Sequence, residues 1–351
     1  MKKVLVIVVT YNGRQWLERC LSSVVNPVSP GGSTAAIGEN SVDVISRGAE
    51  GGVEKSLFVV DNDSTDGSAD FVASHFPQAK LVRSAENLLF SAANNLGFEY
   101  ALKKGFDYVY LLNQDAWLAP GALETLVASA ELHPEYAVLS PLQMTDAYKS
   151  LDPQFAKLFG SGEVFSSQTC GHPRPHKREG PTVGCDEDLS EVASRDGRGR
   201  SEAEAVCEEN TSPEPMSVKR VMAAHWLVPC AALKKIGLFE EKLFPLYGQD
   251  DDWCNRARYH GFKIGIVLSA RAVHDRAQRE ESKEKIVKRN YYTGSLVRLC
   301  DVNRPLWERF LFVCAFTLVK GIKYRSLLPL KYFRTICRQL PAVRAHRLEY
   351  R

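Results

Sequence analysis

The chain has 351 residues, 44% of them hydrophobic and 25% charged, with a formal net charge of +3. This is globular composition, enough for one large α/β domain or two smaller ones, and the charge is too small to argue for a nucleic-acid partner. Nine cysteines, an odd number with no Cys-x-x-Cys spacing, argue against a zinc site or a disulfide framework and for reduced thiols in a cytosol.

The chain starts with two lysines and a short apolar run, as a secretory leader would. Thr10-Tyr11-Asn12-Gly13 follows at once, without a cleavage site, so residues 4–9 read as a strand buried on both faces of a parallel sheet. Helical spacing over 16–25 puts Trp16, Leu17, Cys20, Leu21 and Val24 on one face. Residues 57–60 read as a second strand, 68–76 as its helix, 80–83 as a third strand and 91–104 as a helix. A fourth strand over 108–112, a helix over 121–132 with Pro120 near its start, and a strand over 137–141 complete this half. The alternation predicts a doubly wound α/β sheet with ligands at the carboxyl ends of its strands.

Two stretches break the rhythm. Residues 28–55 carry Gly31-Gly32 and Gly51-Gly52 with little periodicity and read as an insertion loop. Residues 166–217 are rich in Gly, Pro, Ser and charge. From Asp186 to Glu214 there are ten acidic and three basic residues and almost no large apolar side chains, the composition of a disordered segment or mobile flap. Beyond it, 218–228 is apolar enough for buried structure. Residues 231–236 form a helix closed by Gly237, 251–259 another, and 263–267 a strand leading through a loop to His274. Residues 283–298 read as a polar helix, and from Leu306 the chain is helical with aromatic and basic residues mixed. No apolar run reaches the roughly 20 residues of a membrane span.

Polar clusters fall at the strand ends: Tyr11-Asn12, Asp61-Asn62-Asp63 and Asn113-Gln114-Asp115. Asp115 ends an apolar strand, where a carboxylate can bridge a hard cation to phosphate or cap the helix that begins near Pro120. The oxygens of the string from Asp61 to Ser68 suit a ribose and base, or a capping turn. Gln249-Asp250-Asp251-Asp252 opens a helix, where the dipole favours carboxylates, but it holds more of them than a cap uses. The apolar Phe244-Pro245-Leu246-Tyr247 before it is a wall that would raise a carboxylate's pKa. His274 becomes a metal candidate only if Asp115 lies beside it.

In this order and spacing, several strings together resemble the inverting family 2 glycosyltransferases of GT-A fold, especially their rhamnosyltransferase-like branch. The first three are Val9-Thr10-Tyr11-Asn12-Gly13, Val60 to Ser68, and Asn87-Leu88-Leu89-Phe90 through Asn94-Asn95-Leu96-Gly97. Leu111 to Ala116, Gly237 to Glu241, Tyr247 to Arg256 and His274 complete the set. The resemblance implies a mixed sheet flanked by helices and a reaction that moves a hexose, such as rhamnose, from a nucleoside-diphosphate sugar to a glycan or lipid-linked acceptor. It implies that Thr10, Tyr11, Asn12, Asp61, Asn62, Asn94, Asn95, Gln114 and Trp226 form the donor site. Asp115 and His274 would hold Mg²⁺ or Mn²⁺, and Asp250 would be the general base, with Asp251 able to share that role.

Three departures stand out. Asn113 replaces the first acid of the Asp-x-Asp motif, Gln249 replaces the Glu of the Glu-Asp motif, and Leu89 stands where relatives often have Gly. The expected organisation is a catalytic domain over 1–280 and a helical extension over 281–351. From Lys320 to Arg351 the extension has nine Lys or Arg and one Glu. Such a basic, apolar tail fits an anionic membrane surface or packs on the catalytic domain. The expected setting is cytoplasmic, peripheral on the inner face of the membrane, without nucleic acid. The alternative is a non-catalytic or differently specialised nucleotide-sugar-binding protein on the same fold.

Overall fold

The structure is a computed structural model that describes residues 1–25, 52–145, 151–153, 155, 164–165, 214–275, 285 and 287–350. Most of the first insertion (28–51) and of the second (166–213) therefore lies outside the described residues. The edges of both are strand instead of loop: Val53–Asp61 is one strand, and Pro215–Val218 pairs antiparallel with residues 264–267.

Strand β1 (Lys2–Thr10) is the centre of the parallel half, flanked by β2 (Val53–Asp61) and β4 (Tyr108–Asn113), with β3 (Lys80–Arg83) outside β2. Its β-branched run is buried on both faces because its residues alternate between two cores. Val4, Val6 and Val8 join Leu17, Cys20 and Leu21 of α1 (Arg14–Val25). Leu5 and Ile7 join Ala93 and Phe98 of α3 (Leu89–Lys104). Gly97 lets α3 lie close to the sheet, since a Cβ there would stand 2.6 Å from Ile7 Cδ1. Helix α2 (Ser68–His75) follows β2, and α4 (Ala122–Leu132) precedes β6.

The second half turns the sheet mixed. Its order is β3-β2-β1-β4-β9-β6-β10-β8-β7, with β9 (His225–Pro229) antiparallel between β4 and β6 (Tyr136–Met144). Strands β7 (Val164–Phe165) and β8 (Pro215–Val218) form the far edge. Helices α5 (Cys230–Ile236) and α6 (Gln249–Tyr259) lie between β9 and β10 (Lys263–His274). The expected loop before His274 is strand instead. After a register shift between Val267 and Arg271, β10 resumes beside β6 and pairs Ala272, Val273 and His274 with Leu118, Trp117 and Ala116 of β5 (Ala116–Leu118).

In place of one polar helix over 283–298, the chain forms a π-helical turn (Lys288–Thr293) and α7 (Gly294–Cys300). Helices α8 (Leu306–Tyr324), α9 (Leu328–Arg338) and α10 (Leu340–Glu349) follow. Their buried residues, Leu296, Val313, Ile336 and Val343 among them, form a third core that includes Phe244 from before the expected domain boundary. The boundary itself, at 280/281, falls outside the described residues.

Candidate active site

The carboxyl ends of β1, β2 and β4 lie side by side, because the parallel register sets Thr10 opposite Asp61 and Val9 opposite Asn113. Gln114 stitches the exit of β1 in place. Its Oε1 accepts hydrogen bonds from Thr10 Oγ1 and the Tyr11 amide, both at 2.9 Å, and its Nε2 donates to the Tyr11 carbonyl at 3.3 Å. The next residues are laced to the loop after β2. The Asn12 amide donates to Ser64 Oγ, Asn12 Oδ1 accepts from the Thr65 amide, and the Arg14 amide donates to Asp66. Asn12 is left-handed (φ 49°), a conformation Asn tolerates better than most residues. Asp66 also accepts the Ser68 amide at the start of α2.

This lacing leaves a defined surface. The Tyr11 side chain is exposed. Asp61 is buried; its Oδ2 accepts from the Ser64 amide, while its Oδ1 has no hydrogen-bond partner among the described residues. Asn62, also buried, holds the 87–89 turn: its Oδ1 accepts from the Leu88 amide and its Nδ2 donates to Asn87 Oδ1 and the Leu89 carbonyl. The structure thus gathers Thr10, Tyr11, Asn12, Asp61, Asn62 and Gln114 into one patch. Asn94 and Asn95 do not join it through side-chain bonds. Asn94 donates to the Phe90 carbonyl within α3, and Asn95 exchanges two bonds with the backbone of Phe239. Trp226 is fully buried in the hydrophobic core, with its ring centroid 5.7 Å from that of Trp253 and 6.0 Å from that of Phe239.

Asp115 follows this patch directly. It does not cap α4, whose N-cap is Gly121 without a side-chain bond. Instead the β5–β10 pairing brings His274 to it. His274 Nε2 lies 3.4 Å from Asp115 Oδ1, and the Asp115 carbonyl accepts from the Asp275 amide at 2.8 Å. With bonds of about 2.1 Å, neighbouring ligands of one Mg²⁺-sized ion stand about 3 Å apart, so the pair fits two corners of a shared ion. One oxygen and one nitrogen donor suit Mn²⁺ or Mg²⁺ and leave other positions for phosphate oxygens and water. His274 Nδ1 is buried with no hydrogen-bond partner among the described residues.

The segment between β8 and β9 connects this corner to α6. The Ala224 carbonyl accepts from the Asn113 amide at 3.1 Å, and Arg220 reaches Asp251 Oδ1 at 2.9 Å. Asp250 and Asp251 open α6 after the left-handed Gly248 (φ 89°). Burial pushes the Asp250 carboxyl up to about 7, and the neighbouring Asp251 charge adds to it, against the Asp251 amide and Arg220, which favour the ionised form. Of the expected apolar wall, Phe244 is buried while Leu246 and Tyr247 are exposed. Gln249 is 6% exposed, and its Oε1 has no partner among the described residues. A carboxylate with a pKa near neutrality and a neutral neighbour on one side can accept a proton from a hydroxyl.

Two participants escaped sequence reasoning. Arg220 could have been noticed as part of a basic pair directly after an acidic segment. Nothing local marked His346, which meets Asp252 across 94 residues at 2.9 Å. Asp252, Cys300 and His346 have donor atoms within 4.8 Å of one another, the spacing of a metal site. However, Arg256 donates to Asp252 at 2.9 Å, and a cation would have to share that carboxylate with a guanidinium. The cluster is an ion-pair network.

Residues 5–154 match the family model described as glycosyl transferase family 2, a span that holds all of the strand-end patch and Asp115. No curated protein matches the chain in a sequence comparison. Among solved structures, a mannosyltransferase from Pyrobaculum calidifontis in complex with GDP-Man and Mn2+ aligns over 99% of this chain and 85% of its own, at 14% identity and a TM-score of 0.51. TarS 1-349 of S. aureus in complex with UDP covers 90% of this chain and 70% of its own, at 16% identity and a TM-score of 0.46. GalNAc-T7 with UDP, GalNAc and Mn2+ covers 87% and 52%, at 13% identity and a TM-score of 0.48. The mixed α/β architecture with its C-terminal helices is that of the GT-A glycosyltransferases.

Proposed function

We propose that this chain, whose residues 5–154 match the glycosyl transferase family 2 model, moves a hexose from a nucleoside-diphosphate sugar to a glycan or lipid-linked acceptor with inversion. The observation that carries the reading is the Asp115–His274 pair, two metal-type donors 3.4 Å apart beside a patch of strand-end polar groups. The neighbour of the same fold binds GDP-Man together with Mn2+. Tyr11 and Asp61 would meet the nucleoside, and Asp115 and His274 would hold the divalent cation. That cation would neutralise charge on the departing diphosphate. Asp250 accepts the acceptor hydroxyl's proton as that oxygen bonds to the anomeric carbon, and the sugar–phosphate bond breaks with its electron pair leaving on the diphosphate.

Thermal shift with UDP-, dTDP- and GDP-sugars, with and without Mn²⁺ or Mg²⁺, tests this. A ligand that binds only the native state raises the melting temperature. One donor should do so only with metal, and Asp115→Ala should abolish the response. No response from any pairing would sink the reading, and binding without transfer or slow donor hydrolysis would instead mark a nucleotide-sugar-binding protein.

The extension supports a further part of the same reading, contact with an anionic membrane surface where a lipid-linked acceptor would lie. Trp307, Leu311, Leu318 and Ile322 recur along one side of α8 and are exposed, as are Leu327 and Leu330. Exposed Arg325, Lys331, Arg334 and Arg338 accompany them. No described helix is long and apolar enough to cross a membrane. Co-sedimentation with phosphatidylglycerol vesicles, lost on joint Leu318→Glu and Ile322→Glu substitution, is the expected outcome; equal binding by both proteins would remove this part.

A further inference from the structure

Helix α6 has two working faces. Asp250 opens it, and Asp252 lies two residues on, about 200° round the helix axis. Asp252 points into the C-terminal extension, where it is fully buried. Its Oδ2 accepts from Arg256 Nε and its Oδ1 meets His346 Nε2, each at 2.9 Å. Arg256 is committed elsewhere as well: its two terminal nitrogens donate to the Ile236 and Leu238 carbonyls at 2.8 Å, and Tyr350 covers its guanidinium at 4.0 Å. On its other side, His346 Nδ1 lies 3.7 Å from Glu240 Oε2.

The entrance to α6 rests on the same extension. A Cβ on Gly248 would meet Thr293 at 2.7 Å, Val297 at 2.9 Å and Phe244 at 3.0 Å, so the turn that presents Asp250 sits flush against the π-helical turn and α7. The residue after His346 secures α7 in turn. Arg347 donates to the Leu299 carbonyl at 2.9 Å, and to the carbonyls of Asp301 and Arg304. These are carbonyls at and beyond the C-terminal end of α7, where helical partners run out.

We propose that His346 is a positioning residue for Asp250: as an imidazolium held between Asp252 and Glu240, it locks the extension onto α6 and fixes where the base carboxylate stands. The proposal rests on the reading of Asp250 as the base. A structural helix end needs only burial, whereas this one is clamped by a charge that can be removed. The groups facing His346 are Asp252 and Arg256 of α6, Glu240, Cys300 at the end of α7, and the Phe244 and Tyr350 rings. Burial pulls its pKa down, but the Asp252 and Glu240 carboxylates outweigh burial and leave it at about 9. Because that lies above the ordinary 6.5, the clamp is fully present below 6.5 and is lost as pH rises through about 9. Transfer by the intact chain should therefore have two limbs, rising as Asp250 ionises near 7 and falling as His346 discharges near 9.

The test uses the full chain with the donor and metal identified by thermal shift. His346→Gln should lower kcat by up to about 100-fold, the order expected of a misplaced reacting group, while the donor KM stays within about twofold. Its alkaline limb should disappear. Glu240→Gln keeps one acceptor oxygen for the Lys242 and Leu243 amides yet removes a charge that holds the imidazolium, so its alkaline limb should move to lower pH with kcat intact at neutrality. If His346→Gln does not fold, Glu240→Gln decides alone. An alkaline limb that stays put in the variants that fold overturns the proposal, as does a kcat loss matched by an equal rise in KM. Asp250→Asn separates the two readings: full turnover there removes the base assignment and the clamp with it. An inactive Asp250→Asn beside a normal His346→Gln removes only the clamp.

Discussion

The two walls of the candidate site are built by different means. The wall proposed to bind the donor is made of strand ends. Thr10, Asp61 and Asn113 are set by the parallel ladder, and Gln114, Ser64 and Asp66 tie the intervening loops together across at most 104 residues. The base wall is a helix end, held by Arg220 from one side and by the C-terminal extension from the other. A strand end inherits its position from the hydrogen bonds of its neighbours. A helix N-terminus has no such ladder and must be braced from outside. Binding of the donor and turnover should therefore come apart under mutation.

The sharpest way to break that separation is Asp250→Asn. Removal of a general base costs about 10²–10⁴-fold in rate. Among the described residues no hydrogen bond joins the donor wall to Asp250, whose Oδ1 accepts from the Asp251 amide, so the melting shift with donor and metal should persist. A variant that loses both would show that the walls are one unit. Asp115→Ala should do the reverse and strike binding first. At donor concentrations about 100-fold above Kd, the wild type gains about 2.7 kcal/mol of stability, and the variant should lose most of that gain.

Finer control comes from the charges around Asp250. Its pKa of about 7 is raised first by burial and then by Asp251, and is restrained by Arg220. A base works ionised, so kcat should rise with pH through that value. Arg220→Gln removes a favourable charge and should move the acid limb to higher pH. Asp251→Asn removes the unfavourable one and should move it to lower pH. Limbs that move together would detach the pH profile from Asp250. An Asp251→Asn variant with no turnover would show that Asp251 shares the proton.

The same contrast governs how much could be read from residues alone. Thr10 and Asp61 close runs of β-branched and aliphatic residues, so their place at strand ends follows from burial on both sheet faces, and Asp115 stands two residues beyond Asn113, the last residue of β4. The strand over 80–83 was recovered to the residue. Strand β5 was missed because three residues carry no period, and the end of β10 because its register shift looks like a loop. Asn95 fitted the donor pocket by resemblance, yet its amide bonds the Phe239 backbone, a contact across 144 residues. The basic tail suggested a membrane surface, while its buried His346 and Arg347 face inward to partners that no spacing rule reveals.

The smallest expected effect lies at Leu89, beside the proposed donor wall. Leu89 is left-handed (φ 63°) and 37% exposed, at a position where the family resemblance implies Gly. A non-Gly residue in that region costs of order 1–3 kcal/mol, partly offset here by the Asn87 and Asn62 side chains, which bond its amide and carbonyl. Leu89→Gly removes the strain but frees the unfolded chain by about 0.5–1 kcal/mol. The net change should be a stabilisation of no more than about 1 kcal/mol by denaturant unfolding. Leu89→Ala keeps the strain and should show no gain. Because the 87–89 turn hangs on Asn62 and not on α6, the glycine should alter donor KM and leave kcat alone. A change in kcat with KM unmoved would tie this turn to the base wall and erase the distinction between them.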